Sequence, residues 1–438
     1  MSVQHAIDIF NAGVEAVKPT RLIPQYLQLT GNTIAVGQQT FEVDGVSGIY
    51  VLSVGKAAAA MALEAEKVLG DRITGGLVVT KYHHALPLQY CTTIEGGHPL
   101  PDENSVATAK KVITFLKQLH ANDLLICCIS GGASALLGDV AASISLDDLQ
   151  QLSSLLLQCG ADIHEINTVR KHISTLKGGR LVPQVNGAQV VSLIISDVPG
   201  DALSVIGSGL TVPDNSTFMD AFKVLRKYDL IDDCPLPITR YIIEGIRGQV
   251  PETPKPGDAV FNRVSNNIIG SNHVALQAAL MQAQRSGYNA SIINSQLDGD
   301  AETQAALFVQ QLVNYSGAKP ACLLMGGETT VAIKGNGKGG RNQQFVLACI
   351  CELVKRGILP GNLPVILSGG TDGTDGPTDA TGAYISNELI LSIQGNGMQP
   401  SDYLENNDAY NFFRQLNALL ITGPTQTNVM DIVVALIP

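Results

Sequence analysis

The chain reads as an α/β protein made of two α/β/α domains with largely parallel sheets. Short runs rich in Val and Ile alternate with longer helix-period segments, and the alternation runs in two series separated by a proline-rich stretch. Strand and helix taking turns require crossovers, and crossovers produce parallel sheets covered on both faces. The length, 438 residues, also exceeds one ordinary core.

The first nineteen residues, "MSVQHAIDIFNAGVEAVKP", carry a helical period without a charged start and apolar run, so no signal peptide is expected. "GIYVLSVG" (48–55) reads as a buried strand, and "KAAAAMALEAEKVL" after it as a helix. "GGLVVTK" (75–81) and "CTTIEG" (91–96) are strands, followed by a helix from about Asp102 to His120. "DLLICCIS" (123–130) and "AQVVSLIISDV" (188–198) complete the first series. The second opens with "RVSNNIIGSNHVALQAALMQAQRSG" (263–287) and continues through "ACLLMGG" (321–327), "LPVILSGG" (363–370), "NALLITG" (417–423) and "DIVVALI" (431–437). Between the two lies "GQVPETPKPGDAVF" (248–261), which has no apolar period and reads as a linker or crossing segment. The expected domains are therefore residues 1–255 and 256–438.

A net charge of −11 argues against a nucleic-acid partner, and no apolar run reaches membrane-spanning length. The eight cysteines are scattered without a CxxC and sit among apolar residues, which fits buried free thiols in a cytoplasmic protein. Acidic overall, the chain would have to concentrate cations locally to hold an anionic ligand.

Ligands of such sheets bind beyond the carboxyl ends of strands. Three strands leave through Gly-Gly pairs (Gly131-Gly132, Gly326-Gly327, Gly369-Gly370), and Lys56 stands at the exit of another. "SGGASALL" (130–137) is a strand–turn–helix start whose Ser130, Gly131, Gly132 and Ser134 suit a carboxylate or phosphate. "IKGNGKGGRNQQF" (333–345) contains G-x-G-x-x-G at Gly335–Gly340, yet lacks the acidic partner of a dinucleotide site. "VAIK" (331–334) precedes the glycines rather than following them, unlike a protein kinase. Stripped of those labels, Lys338, Gly339, Gly340 and Arg341 still describe an anion cradle at a helix start. "SGGTDGTDGPTDATGA" (368–383) places Asp372, Asp375 and Asp379 on a permissive backbone. Asp372 and Asp375 are expected to bind Mg²⁺ or substrate hydroxyls. Asp197, at a strand end, is expected to orient or deprotonate an acceptor hydroxyl. "INTVRKHISTLKGGR" (166–180) carries Arg170, Lys171, Lys177 and Arg180, which a solvated basic face would also explain. Carboxylates, glycine turns and isolated cations in both halves are what phosphoryl transfer asks for.

The motifs "VGKAA", "GGHPLPDENS", "SGGASALL", "VRKHISTLKGGRL", "SDVPGD", "GGETTV", "GGRNQ", "GTDGTDGPTDATGA" and "TGPTQTNVMD" occur in this order from about Val54 to Leu436. Together they resemble the class II glycerate 2-kinases, whose second domain is named MOFRL. The resemblance implies ATP-dependent phosphorylation of D-glycerate at the 2-hydroxyl, with Mg²⁺, in a cleft between two α/β/α domains. It also implies essential roles for Lys56 and Arg341. The chain departs from the family pattern at Ala133, Ala202, Leu210, Gln344 and Gln426. A hydroxypyruvate reductase using NAD(P)H, and a non-catalytic sensor of small acids, are the other expectations. The protein is expected as a monomer or a homodimer.

Overall fold

The structure is a computed structural model that describes residues 2–357 and 363–438. Contacts divide the chain into two compact units. One comprises Leu22–Ser196 and Asp201–Ile269; the other comprises the N-terminal segment through Arg21, Asp197–Gly200 and Gly270–Pro438.

The Leu22–Ile269 unit is built on a six-stranded sheet in the order Cys91–Gly96, Ile73–Lys81, Ile49–Val54, Leu124–Ile129, Gln189–Ile195, Val264–Gly270. The first four pairings along that order are parallel, as the alternating sequence requires. The helix Ala58–Leu69 is buried over nearly all its turns by Ala58, Ala59, Met61, Ala62 and Ala65, small residues that let it approach the sheet closely. The helix Glu103–Leu116 starts at Asp102, whose carboxylate accepts from Ser105 N while Ser105 Oγ accepts in return from Asp102 N. Four helices, Leu146–Gln158, Ile163–Ile173, Phe218–Lys227 and Leu236–Ile246, share a separate core of Leu152, Leu156, Val169, Phe218, Leu225 and Ile242. A small antiparallel sheet, Leu27–Thr30, Thr33–Val36 and Gln39–Glu42, completes this unit.

The 248–261 segment is fastened rather than free. Asp214 N donates to Pro254 O, Thr253 Oγ1 donates to Asp214 Oδ2, and Arg180 Nη2 donates to Pro251 O. Its prolines remove backbone donors, so side chains and the remaining carbonyls do the anchoring.

The other unit carries a mixed sheet, ordered Asn289–Leu297, Ala321–Gly327, Asp431–Ile437, Val365–Gly370, Gly382–Ile385, Leu419–Leu420. Only its first pairing is parallel; the four others are antiparallel. This departs from the expectation of a largely parallel sheet. The reason is that Gly382–Ile385 returns from Val365–Gly370 through the loop 371–381 with no crossover helix, and Asp431–Ile437 inserts between two strands running against it. The helix Val3–Ala16 belongs here, not with the residues that follow it. Gly13 sits so tightly that an added Cβ would lie 2.8 Å from Ile432 Cδ1 and 3.0 Å from Ala275 O. The helix Arg341–Lys355 is buried along most of its length, from Asn342 to Leu353. Among the described residues, no helix is long and apolar enough to cross a membrane.

Candidate active site

In the mixed-sheet unit the candidate groups gather at one end of three adjacent strands. Asp431 begins its strand between two partners, in register with Gly327 on one side and Gly370 on the other. Both neighbours are strand exits, so the C-terminal ends of Ala321–Gly327 and Val365–Gly370 flank one carboxylate. Arg341 reaches it with two parallel bonds: Nε donates to Asp431 Oδ2 at 2.5 Å and Nη2 to Oδ1 at 2.9 Å. Its remaining arm, Nη1, pairs with Glu328 Oε1 at 2.6 Å. Burial disfavours the guanidinium's charge, but Asp431, Glu328 and Asp375 outweigh it and hold the pKa above the ordinary arginine value. The result is a cation fixed in one orientation by a bidentate fork. Nearby, Asn428 Nδ2 donates to Asp197 Oδ2 at 3.4 Å, so Asp197 stands beside the loop that leads into Asp431.

The sequence pairs Asp372 with Asp375 as metal ligands; the structure puts them to different uses. Asp375 is buried and caps the helix Arg341–Lys355: Oδ1 accepts from Asn342 N at 3.1 Å and Oδ2 from Gln343 N at 2.9 Å. These are helix-terminal amides with no intrahelical partner. Burial pushes the Asp375 carboxyl up to about 6, opposed by those amides and reinforced by the charge of Asp431. Asp372 instead organises its own turn, with Oδ1 accepting from Thr374 N and Thr374 Oγ1, both at 3.0 Å. Asp379 accepts from the Tyr410 hydroxyl. No cluster of three or more His, Cys, Asp or Glu suited to a metal occurs among the described residues. A carboxylate already saturated by amides does not fit a magnesium ion, which needs its oxygens outward.

The glycine-rich stretch is likewise held from behind. Asn407 Oδ1 accepts from Lys334 N and Gly335 N, Asn406 Oδ1 from Asn336 N, and Asp408 Oδ1 from Lys338 N. The Lys338 ammonium lies over the Tyr410 ring at 4.5 Å. The helix amides and most loop amides expected to cradle an anion therefore have acceptors in the protein. Gly339 and Gly340 are packed against Ala409 and Asp375; a Cβ on Gly340 would lie 2.3 Å from Asp375 Oδ1.

In the other unit, Lys56 follows the strand Ile49–Val54, and its backbone N donates to Gly131 O at 2.8 Å. Ser130 is buried and its Oγ accepts from Ala57 N, so Ser130 fixes this turn rather than facing a ligand. Gly55, at φ +130°, has no room for a side chain: a Cβ would lie 2.2 Å from Ser130 Oγ. Gly132 (φ +84°) is wedged between the His98 ring and the Lys56 stem, 2.9 and 3.1 Å from where a Cβ would be. Next to it opens a pocket of about 210 Å³ lined by His98, Gly132, Ser134, Asp139, Arg170 and Lys177, among others.

The basic stretch 166–180 is helical only through Ile173, and it is not a solvated face. Lys171 is buried against Asp214 at 3.2 Å, and Lys177 is buried in an ion pair with Asp139. The departures from the family pattern are mostly packing. Ala133 and Leu210 are core residues, and the Gln344 amide donates to Glu302 Oε1 at 3.2 Å, where a second carboxylate would be repelled. Gln426 is the strained one, at φ +64° with its Oε1 buried and without a partner. Sequence reasoning gave no role to Asp431 or Glu328, although both lie in quoted motifs, because only the sheet register brings them to Arg341.

Residues 5–243 match the family described as a domain of unknown function (DUF4147), and residues 321–431 match the MOFRL family. A D-glycerate 2-kinase from Thermotoga maritima is 41% identical over 99% of this chain and 97% of its own length. A putative hydroxypyruvate reductase from Agrobacterium vitis is 39% identical over 87% of this chain and 97% of its own. The crystal structure of glycerate kinase from Thermotoga maritima superposes with a TM-score of 0.85 at 39% identity, covering 99% of each chain. Full-length likeness in sequence and in fold makes this chain a member of the MOFRL-domain glycerate 2-kinase family.

Proposed function

We propose that the chain is an ATP-dependent kinase that phosphorylates D-glycerate at its 2-hydroxyl to give 2-phosphoglycerate. The observation that carries this reading is the Arg341 fork: a guanidinium held rigidly at strand exits by Asp431 and Glu328. A preorganised cation stabilises charge developing on a transferring phosphoryl group without reorganising as the reaction proceeds. Lys56, whose turn is fixed by Gly131 and Ser130, supplies a second positive charge. Asp197 is the group proposed to orient the acceptor hydroxyl or take its proton. Gly339 and Gly340, at the start of the helix, are proposed to line the phosphates; Lys338 contributes only general positive charge from its seat on Tyr410. Asp375, with both oxygens taken by helix amides, does not fit a magnesium ion, so Mg²⁺ would be held chiefly by nucleotide phosphates and water.

Phosphorus NMR on the purified chain with ATP, Mg²⁺ and D-glycerate tests this directly. The expected result is a 2-phosphoglycerate signal that is lost in Arg341→Ala. A 3-phosphoglycerate signal would overturn the regiochemistry. Oxidation of NADH by hydroxypyruvate without ATP would establish the reductase instead, and calorimetric binding of glycerate without turnover would establish a sensor.

A further inference from the structure

The helix Ile163–Ile173 and the segment after it bring several cations inward; Lys171 and Lys177 have carboxylate partners, whereas Arg170 and Arg180 have none among the described residues, and of these two only Arg170 lines the pocket. Lys171 pairs with Asp214. Arg180 Nη2 donates to Pro251 O. Lys177 pairs with Asp139, donates to Leu137 O, and so cancels the only carboxylate lining the pocket beside Gly132. Asp139 itself is saturated, accepting from Ser174 Oγ, Thr175 N and Leu176 N besides Lys177. Arg170 lines the same pocket, and among the described residues no hydrogen bond or ion pair holds it. Burial is the sole influence on its pKa, pulling it below the ordinary arginine value with no carboxylate to compensate. A guanidinium partly withdrawn from water, as Arg170 is, costs stability when no counter-charge meets it. Retaining one at a pocket wall is understandable if a ligand supplies the missing charge.

The pocket's other polar wall has a defined hydrogen-bond sense. Ser208 Oγ donates to Asn167 Oδ1 at 2.7 Å, which uses its only proton. Ser134 must therefore donate across the 2.7 Å contact to Ser208, which leaves the Ser134 oxygen as an acceptor. One net positive charge and one hydroxyl acceptor are complementary to a small hydroxy acid. The volume, about 210 Å³, suits such a molecule and falls below the roughly 300–1,000 Å³ of pockets that enclose larger ligands.

We infer that this pocket seats the acceptor substrate, with Arg170 binding its carboxylate through a planar fork and Ser134 Oγ accepting from one of its hydroxyls. The assignment rests on the kinase reading above and names the acceptor subsite of that activity. It gives Gly132 a reason to be glycine, since the turn it forms separates this pocket's His98 wall from the Lys56 stem.

Steady-state kinetics of the full chain test it, with D-glycerate and ATP varied separately for wild type, Arg170→Ala, Arg170→Lys and Ser134→Ala. Loss of a charge-assisted bond to the carboxylate should raise the KM for D-glycerate by roughly 10- to 150-fold in Arg170→Ala. The KM for ATP should stay within about twofold. Arg170→Lys, which keeps charge but not the fork, should recover part of the loss and serves as the deciding variant if the alanine form does not fold. A raised KM for ATP with an unchanged KM for glycerate would show that the pocket holds phosphate, overturning the assignment. Unchanged values for both would overturn it as well. Calorimetry with D-glycerate alone separates the two readings. Wild-type binding abolished in Arg170→Ala, without any phosphoester product, would sink the kinase and leave the pocket assignment standing.

Discussion

Asp375 lets the two uses of a carboxylate, capping and metal binding, be told apart by pH. In the folded chain its pKa is pushed from 3.8 to about 6 by burial, so the native state keeps a proton that the unfolded chain has released. Stability from this group is therefore fully present below about pH 4 and is lost as pH rises through about 6. The shift of about two pKa units corresponds to roughly 3 kcal/mol in all, at about 1.4 kcal/mol each. Because the unfolded carboxyl is mostly ionised by pH 4.5, about 2 kcal/mol of this is visible between pH 4.5 and 7.5. Asp375→Asn cannot titrate. Urea unfolding of wild type and variant at both pH values should show wild type losing about 2 kcal/mol relative to the variant at the higher pH. The variant also replaces one of the oxygens that accept from Asn342 N and Gln343 N, but its own bonds there do not change with pH, so the pH dependence of the difference still reports the Asp375 titration. A wild-type-minus-variant difference that stays constant within about 0.5 kcal/mol would mean that the carboxyl ionises as an exposed one does, and the buried-cap assignment would be refuted.

Asp431→Asn keeps the side-chain size but puts an NH2 donor where one of the two acceptor oxygens faces Arg341, so it breaks the bidentate fork and should lower kcat for glycerate phosphorylation about 100-fold under saturating substrates. An unchanged kcat would show that the fork is structural. Gly132→Ala forces a side chain toward His98 and Lys56 at φ +84°, and should cut kcat/KM for glycerate by about tenfold or more, measured beside the melting temperature to separate misplacement from unfolding. Lys177→Met leaves Asp139 buried without its partner and should destabilise by about 3–5 kcal/mol in urea titration; a loss below about 1 kcal/mol would mean that Asp139 is satisfied by its amides alone.

The parallel sheet was legible because its strands are continuous Val/Ile runs with helices between them, and "DLLICCIS" maps onto Leu124–Ile129 with little error. The mixed sheet was harder, since direction is not written in a strand's composition; "DIVVALI" looks the same whichever way it runs. The helical group around Leu152, Val169, Phe218 and Ile242 escaped notice because its core forms between segments far apart in sequence. A strand exit marked Lys56 as a candidate and a glycine-rich turn marked Arg341, but nothing local shows which donors already have acceptors. Asn406, Asn407 and Asp408 lie more than sixty positions beyond the amides they hold, and Asp375 more than thirty beyond its helix start. Arg170 carries the opposite lesson: among the cations of residues 166–180, only three-dimensional packing distinguishes those without a carboxylate among the described residues, Arg170 and Arg180, from the paired Lys171 and Lys177.

The strand Asp431–Ile437 lies inside its sheet, bonded on both edges, yet it follows every other strand of that unit in chain order. During synthesis, Ala321–Gly327 and Val365–Gly370 must therefore wait with a facing edge each unfilled, and the helix Val3–Ala16, made first, waits for the surface it will cover. Arg341 acquires its carboxylate only when that strand docks. The strand that closes the sheet is thus also the one that orders the Arg341 guanidinium, so removing Asp431–Ile437 would open the middle of the sheet and release that cation in one step.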